Sequence, residues 1–163
     1  MASARNPLEL LPAEADATEE ARALLAEIFT EVGITADAGR MASLPAEIRA
    51  SGGEWWVLTI KDAVAGAVGI RGAKKKGEGE LCWWGLVRAR RRLGLGRWMV
   101  EKALAHARER LEIFTVHASV TPAMRRAASV LHELGFRGPE HFDPESFDQP
   151  TVLTRGVRQA PEP

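Results

Sequence analysis

The densest chemistry in this sequence is Arg90-Arg91-Arg92-Leu93-Gly94-Leu95-Gly96, three guanidinium groups leading into a stretch with two glycines. Guanidinium forks present paired, permanently charged donors that match phosphate oxygens. Glycine lets an anion come close to backbone N–H groups. The preceding run, ELCWWGLV, reads as a strand, and the segment from Gly96 to about Arg110, with Trp98, Met99, Leu104 and Ala105 at helical spacing, reads as a helix. A strand that enters a glycine turn and leaves as a helix gathers free N–H groups and the positive helix end at one point. Arg88, Arg90, Arg91, Arg92 and Arg97 surround that point, and together they favour a pyrophosphate. An isolated glycine pair would mark only a tight turn, and a lone arginine in such a run only a solvated face.

The elements that must hold this loop follow from the rest of the pattern. DATEEARALLAEIFTEV, with Ala21, Leu24, Leu25, Ile28, Phe29 and Val32 in helical register, is expected to be an amphipathic helix capped by Asp16 or Thr18, after a short strand in PLELLP. A weaker helix is expected over about Ala38 to Ala50, stopped by Ser51-Gly52-Gly53. EWWVLTI and VAGAVGIRG read as a hairpin turning at Lys61 to Ala63, and AKKKGEG turns the chain into ELCWWGLV as a third antiparallel strand. EIFTVHASV is a further strand, TPAMRRAASVLHELGF a helix with Pro122 in its first turn and Gly135 as its stop, and strands are expected around Phe136 to Phe142 and Thr151 to Val157. Each tryptophan pair, Trp55-Trp56 and Trp83-Trp84, puts one indole on either face of the sheet, with one of each pair expected in the core and the other free to line a cavity.

Length and charge bound the class. The 163 residues suit one domain over 1–163, with loose ends expected at about 1–5 and 158–163. Acidic and basic residues balance at 22 each, which argues against nucleic acid as a partner, and no run is apolar for long enough to cross a membrane. The single cysteine, Cys82, excludes an intramolecular disulfide, no metal site is expected, and with no signal-type apolar core near the start a cytoplasmic location is expected.

Arg91-x-x-Gly94-x-Gly96 resembles the Arg/Gln-x-x-Gly-x-Gly/Ala signature of the GCN5-related N-acetyltransferase (GNAT) superfamily. Glu80-Leu81 at the start of the preceding strand and the Gly135-Phe136 that closes ELGF are similar to features of the same family, and the element order fits its fold along nearly the whole chain. The resemblance implies an α/β (α+β) domain: a mixed, mostly antiparallel sheet of about six or seven strands, about four helices, and a V-shaped splay between the fourth and fifth strands. It implies acetyl-coenzyme A as cofactor, its pantetheine arm along Trp84, Leu86 and Val87, and its pyrophosphate on Arg91, Arg92, Leu93, Gly94, Leu95, Gly96 and Arg97. Acyl transfer to an amine also calls for a base to remove the ammonium proton. Glu80, at the interval before Gly96 where histone-acetylating members carry theirs, is the candidate; strand alternation puts it on one face with Cys82, Trp84 and Leu86. The bland reading of Glu80 is a salt bridge to Lys74, Lys75 or Lys76.

Two expected family residues are missing. Many members protonate the departing thiolate with a tyrosine four residues before the Gly of Gly-Phe; that position is Leu131, and the chain has no tyrosine. Met124 stands where the family often has asparagine. Ser129, His132 or a water could replace the acid, His132 being otherwise a surface histidine; His117, beside the splay, is either a second base or a satisfied structural histidine. Cys82 reads as a small buried side chain rather than a nucleophile. Two functions follow: an N-acetyltransferase acting on a primary amine, preferably of a small molecule, or a non-catalytic acyl-coenzyme A sensor. Asp143, Glu145 and Asp148 in HFDPESFDQP either attract a cationic acceptor or solvate a loop, and the sheet edge near the C-terminus could pair two copies as a homodimer.

Overall fold

Alternating apolar strands followed by two amphipathic helical segments must bury both faces of a sheet, and that is the architecture found. The computed structural model describes residues 8–12, 15–31, 45–61, 63–91 and 94–157. Strand β1 (Leu8–Pro12) leads to helix α1 (Ala15–Glu31) and to a short helix α2, described over 45–50. Then come β2 (Glu54–Ile60), β3 (Ala63–Gly72), β4 (Glu78–Leu86), α3 (Leu95–Arg110), β5 (Thr115–Val120), α4 (Arg125–Glu133) and β6 (Thr151–Gly156). The six strands lie in chain order, antiparallel throughout except for the parallel pair β4 and β5, which the α3 crossover joins.

That parallel pair is short. Glu78 to Leu81 pair with Thr115 to Ala118, and beyond Leu81 the rest of β4 has no β5 partner among the described residues. The two strands therefore part, giving the expected V between the fourth and fifth strands.

One face of the sheet packs under α3 and α4, with Trp56, Leu58, Val68, Ile70, Leu86, Met99, Val100, Ala128, Leu131 and Leu153 in a common core. The other packs under α1 and α2, with Ala21, Leu25, Ile48, Trp55, Val57 and Ala67. Trp55 and Trp56 are thus both buried, one in each core, so neither is left over to line a cavity. Helices on both sides of β2 leave an outward indole nowhere to be exposed.

Three local expectations change. Helix α1 begins at Ala15, so Asp16 and Thr18 lie within its first turn and not at a cap preceding it. Of the expected helix from Ala38, residues 38–44 lie outside the described residues. The strand expected around Phe136 to Phe142 is a single bridge, Arg137 to Thr154, because Gly138 is packed against Phe142 and Leu153, and Pro139 starts a turn closed by the Phe142 N–H. Gly135, at φ +94°, ends α4 as expected; the Phe136 N–H reaches back to the Leu131 carbonyl at 3.0 Å.

Candidate functional site

The glycine turn is built by the end of β4. Arg91 donates from Nε to the Leu86 carbonyl at 2.9 Å and the Val87 N–H donates to the Ala65 carbonyl at 2.7 Å, so these groups tie the strand end to the turn. Gly94 then takes the left-handed conformation, φ +77°, as the N-cap of α3, with no side-chain cap bond. An ideal Cβ on Gly94 would meet nothing within 4 Å, and one on Gly96 would stand 3.4 Å from Trp84 Cζ2. Among the described residues, the start of α3 is therefore a bare helix end with open space in front of it and the half-buried Trp84 alongside. A phosphate with an extended arm fits: N–H groups of the first α3 turn for the anion, and for the arm the side of β4 past Leu81 that has no β5 partner among the described residues. Arg97 leans the other way and pairs with Glu133 of α4, while Arg92 and Leu93 lie outside the described residues.

Strand β4 does not alternate evenly. Cys82 pairs with Gly69 and Gly85 with Ala67, so Trp83 and Trp84 together oppose Val68 alone. Trp83 takes φ +48° to make this bulge. Its consequence is a change of face: Cys82 and Trp83 pack with the α1 core, Trp84 with the α3 core. Glu80 accordingly shares the α1 face with Cys82, and not with Trp84 and Leu86 as even alternation predicts. Trp84 and Leu86 are turned toward α3.

Glu80 is exposed and lies 3.7 Å from Arg71, its register partner on β3, in place of the turn lysines, which point to solvent. On β5, His117 sits opposite Glu80 and has two partners: Nδ1 is 2.8 Å from Thr154 Oγ1 and Nε2 is 3.1 Å from Glu78 Oε1. Glu78, Thr154 and Arg71 carry no motif and were not singled out by their sequence; only the spacing Glu78-x-Glu80 hints that two carboxylates share a face.

Leu131 is buried in the α3–α4 core. His132 is half-buried beside Phe142, with Nδ1 buried and unpartnered, and is not an open surface group. Burial pushes the Cys82 thiol up to about 12, the nearby Arg71 charge opposing only part of the effect, so Cys82 is no thiolate nucleophile. The acidic loop folds over Phe142 and Phe147 into an open cavity of about 450 Å³, with Asp143 and Asp148 in its wall.

Similar chains agree with this geometry. An acetyltransferase of the GNAT family from Staphylococcus aureus Mu50 superposes with a TM-score of 0.77 at 16% identity, covering 93% of this chain and 99% of that one. A putative acetyltransferase from Salmonella typhimurium, solved with its cofactor acetyl-CoA, gives 0.69 at 17% identity over 97% and 98%. A spermidine N-acetyltransferase from Vibrio cholerae, in complex with CoA and spermine, gives 0.73 at 14% over 94% and 97%. No curated protein sequence matches the chain. The sequence model of the acetyltransferase (GNAT) family matches residues 18–136, from α1 through the glycine turn to the end of α4, and the chain belongs to that family of acetyl-coenzyme A-dependent acetyltransferases.

Proposed function

We propose that this protein transfers the acetyl group of acetyl-coenzyme A to a primary amine, preferably of a small molecule, by direct attack in a ternary complex. The observation that carries the reading is the bare start of α3 behind left-handed Gly94, set where β4 parts from β5. Arg91, Arg92, Leu93, Gly94, Leu95 and Gly96 would hold the pyrophosphate, and Arg97 would have to exchange Glu133 for it. Trp84 flanks the same turn through Gly96; Leu86 and Val87, already bonded to Arg91 and Ala65, fix the strand end beside the arm. Holding donor and acceptor together supplies much of the rate, and backbone N–H groups along the opened strand would stabilise the developing oxyanion.

Glu80, exposed at the mouth of the opening, would draw the proton from the acceptor's ammonium, directly or through a water. The amine then attacks the thioester carbon, the C–S bond breaks, and the nitrogen's second proton ends on sulfur. An amine acceptor is supported by the Vibrio cholerae neighbour, which acts on spermidine. The burial of Leu131 favours a second reading, an acyl-coenzyme A sensor, since the place of the family's acid on α4 is filled by a core leucine.

Calorimetric titration with acetyl-coenzyme A, followed by thiol release against primary amines, separates the two. Binding with amine-dependent release supports the transferase; binding without release supports the sensor; no binding overturns both. Glu80→Gln should lower turnover by about 10²-fold with cofactor affinity unchanged; equal turnover would make Glu80 structural.

A further inference from the structure

We propose that Thr154, His117 and Glu78 form a hydroxyl–imidazole–carboxylate chain that receives the acceptor amine's proton in place of Glu80, whose exposed carboxylate then attracts and orients the ammonium. This rests on the transferase reading above.

The sheet register assembles the chain. Arg71 stands opposite Glu80, Glu80 opposite His117 and His117 opposite Thr154, a polar row running across β3, β4, β5 and β6. Its members share the face on which α1 packs, since Val116, Ala118 and Leu153, their strand neighbours, point into the α3–α4 core. Helix α1 packs on β2, β3 and β4; further along this face Ser119 and Val152 are exposed. The His117 and Glu78 side chains keep 29% and 23% of their surface open, so a small molecule resting on β5 and β6 reaches them. The row lies one residue before Leu81 and Ala118, the last pair before the strands part. An acceptor on this floor faces the opening.

The hydrogen bonds set the polarity of the chain. A carboxylate at 3.1 Å from Nε2 selects the tautomer that carries its proton there, which leaves Nδ1 to accept from the Thr154 hydroxyl at 2.8 Å. Taking up a proton at Nδ1 makes an imidazolium already paired with Glu78, the arrangement that activates hydroxyl and amine groups on unrelated folds. An ordinary imidazole also holds a proton about two pH units more tightly than an ordinary carboxylate, which makes it the better acceptor for an ammonium proton. The charged groups facing the ring are Glu78 and Glu80 from β4, with Arg71 of β3 behind Glu80. Arg137, bridged to Thr154, turns its guanidinium to the His132 and Phe136 carbonyls instead.

In the step, the ammonium's first proton passes to the Thr154 oxygen as the Thr154 hydroxyl proton passes to Nδ1. The freed amine forms the N–C bond, the C–S bond breaks, and the second nitrogen proton ends on sulfur. His117 then returns its proton to water.

The test measures thiol release from acetyl-coenzyme A with spermidine, tyramine and glucosamine across pH, for wild type, His117→Ala with and without added imidazole, and Thr154→Val. The expected result is a fall of about 10²-fold in kcat for His117→Ala, with acetyl-coenzyme A affinity unchanged, a changed pH dependence, and partial recovery on adding imidazole. Thr154→Val should be slower in the same sense. If wild type is silent with every amine, the transferase reading falls and this chain with it. If wild type is active and His117→Ala matches it, or is slow without imidazole rescue and with an unaltered pH dependence, only the chain is overturned. Should His117→Ala lose cofactor binding through misfolding, Thr154→Val decides: wild-type kcat in that variant overturns the proposal.

Discussion

Gly94 and Cys82 show how single positions set what the site can do. At φ +77° a side chain on Gly94 would be strained by roughly 1–2 kcal/mol, yet none of the described residues lies within 4 Å of its Cβ to clash with it. What disfavours a side chain at this position is therefore conformation and not packing. Gly94→Trp should lower stability by about that amount and abolish acetyl-coenzyme A binding in calorimetry; retained affinity would detach the turn from the cofactor. Cys82 yields the opposite kind of expectation. With its thiol pushed up to about 12 by burial, alkylation by iodoacetamide between pH 7 and 8 should run far slower than for an exposed cysteine, and accelerate on denaturation. Rapid labelling of the folded protein would show that the α1-side core does not shield the sulfur. The strand, turn and helix around Gly94 were legible from the sequence because they succeed one another there within a few residues. Glu78, His117 and Thr154 were not legible as a group: they come from three strands, 37 and 39 residues apart for the two contacts, and only the register joins them.

At the scale of elements, local patterns read correctly where one interaction dominates. Helix α3 and strands β2 to β5 form where their apolar runs place them, and α4 ends at Gly135 because a left-handed residue is needed there. Even alternation along β4 failed because a bulge costs one residue of register and leaves no compositional mark; Trp83, at positive φ, is not a residue that advertises it. The segment after Phe136 failed for a different reason, a proline and a tightly packed glycine cutting a strand to one bridge. Helix α3 carries a further test. His106 stacks on Trp56 of β2, ring centres 5.6 Å apart and planes 20° from parallel. Burial, then the nearby Arg110 charge, lower its pKa below the ordinary 6.5. Above pH 6.5 the ring is neutral in both folded and unfolded chains and the contact is intact. As pH falls below 6.5 the unfolded chain takes up the proton first, so stability declines until the folded ring is protonated as well. The fall in Tm between pH 7 and pH 5.5 should accordingly be smaller in His106→Gln than in wild type, and an equal fall would assign the acid sensitivity elsewhere.

At the scale of the molecule, the sheet is two antiparallel wings, β1 to β4 and β5 to β6, joined by the four register pairs from Glu78–Thr115 to Leu81–Ala118. What holds the wings together beyond those pairs is the α3–α4 core, in which residues of both wings, Trp56 and Ile70 from one and Val116 and Leu153 from the other, meet around Met99 and Leu131. Leu131 is therefore spent on cohesion, and Leu131→Ala should cost about 2–5 kcal/mol as a cavity in that core, read as a loss in denaturant midpoint. A ligand seated in the opening contacts β4 past Leu81 and the start of α3 at once, and so braces the parting strands that the core alone keeps aligned. Because it binds only the folded chain, acetyl-coenzyme A at 100-fold excess over its Kd should add about 2.7 kcal/mol of stability. For a chain of this size that corresponds to a rise in Tm of roughly 5–10 °C. The same addition should leave Gly94→Trp unmoved, and should raise His117→Ala as much as wild type, if the turn holds the cofactor and the polar row handles the proton as proposed. A shift lost in both variants would mean that the cofactor turn and the polar row are one coupled unit.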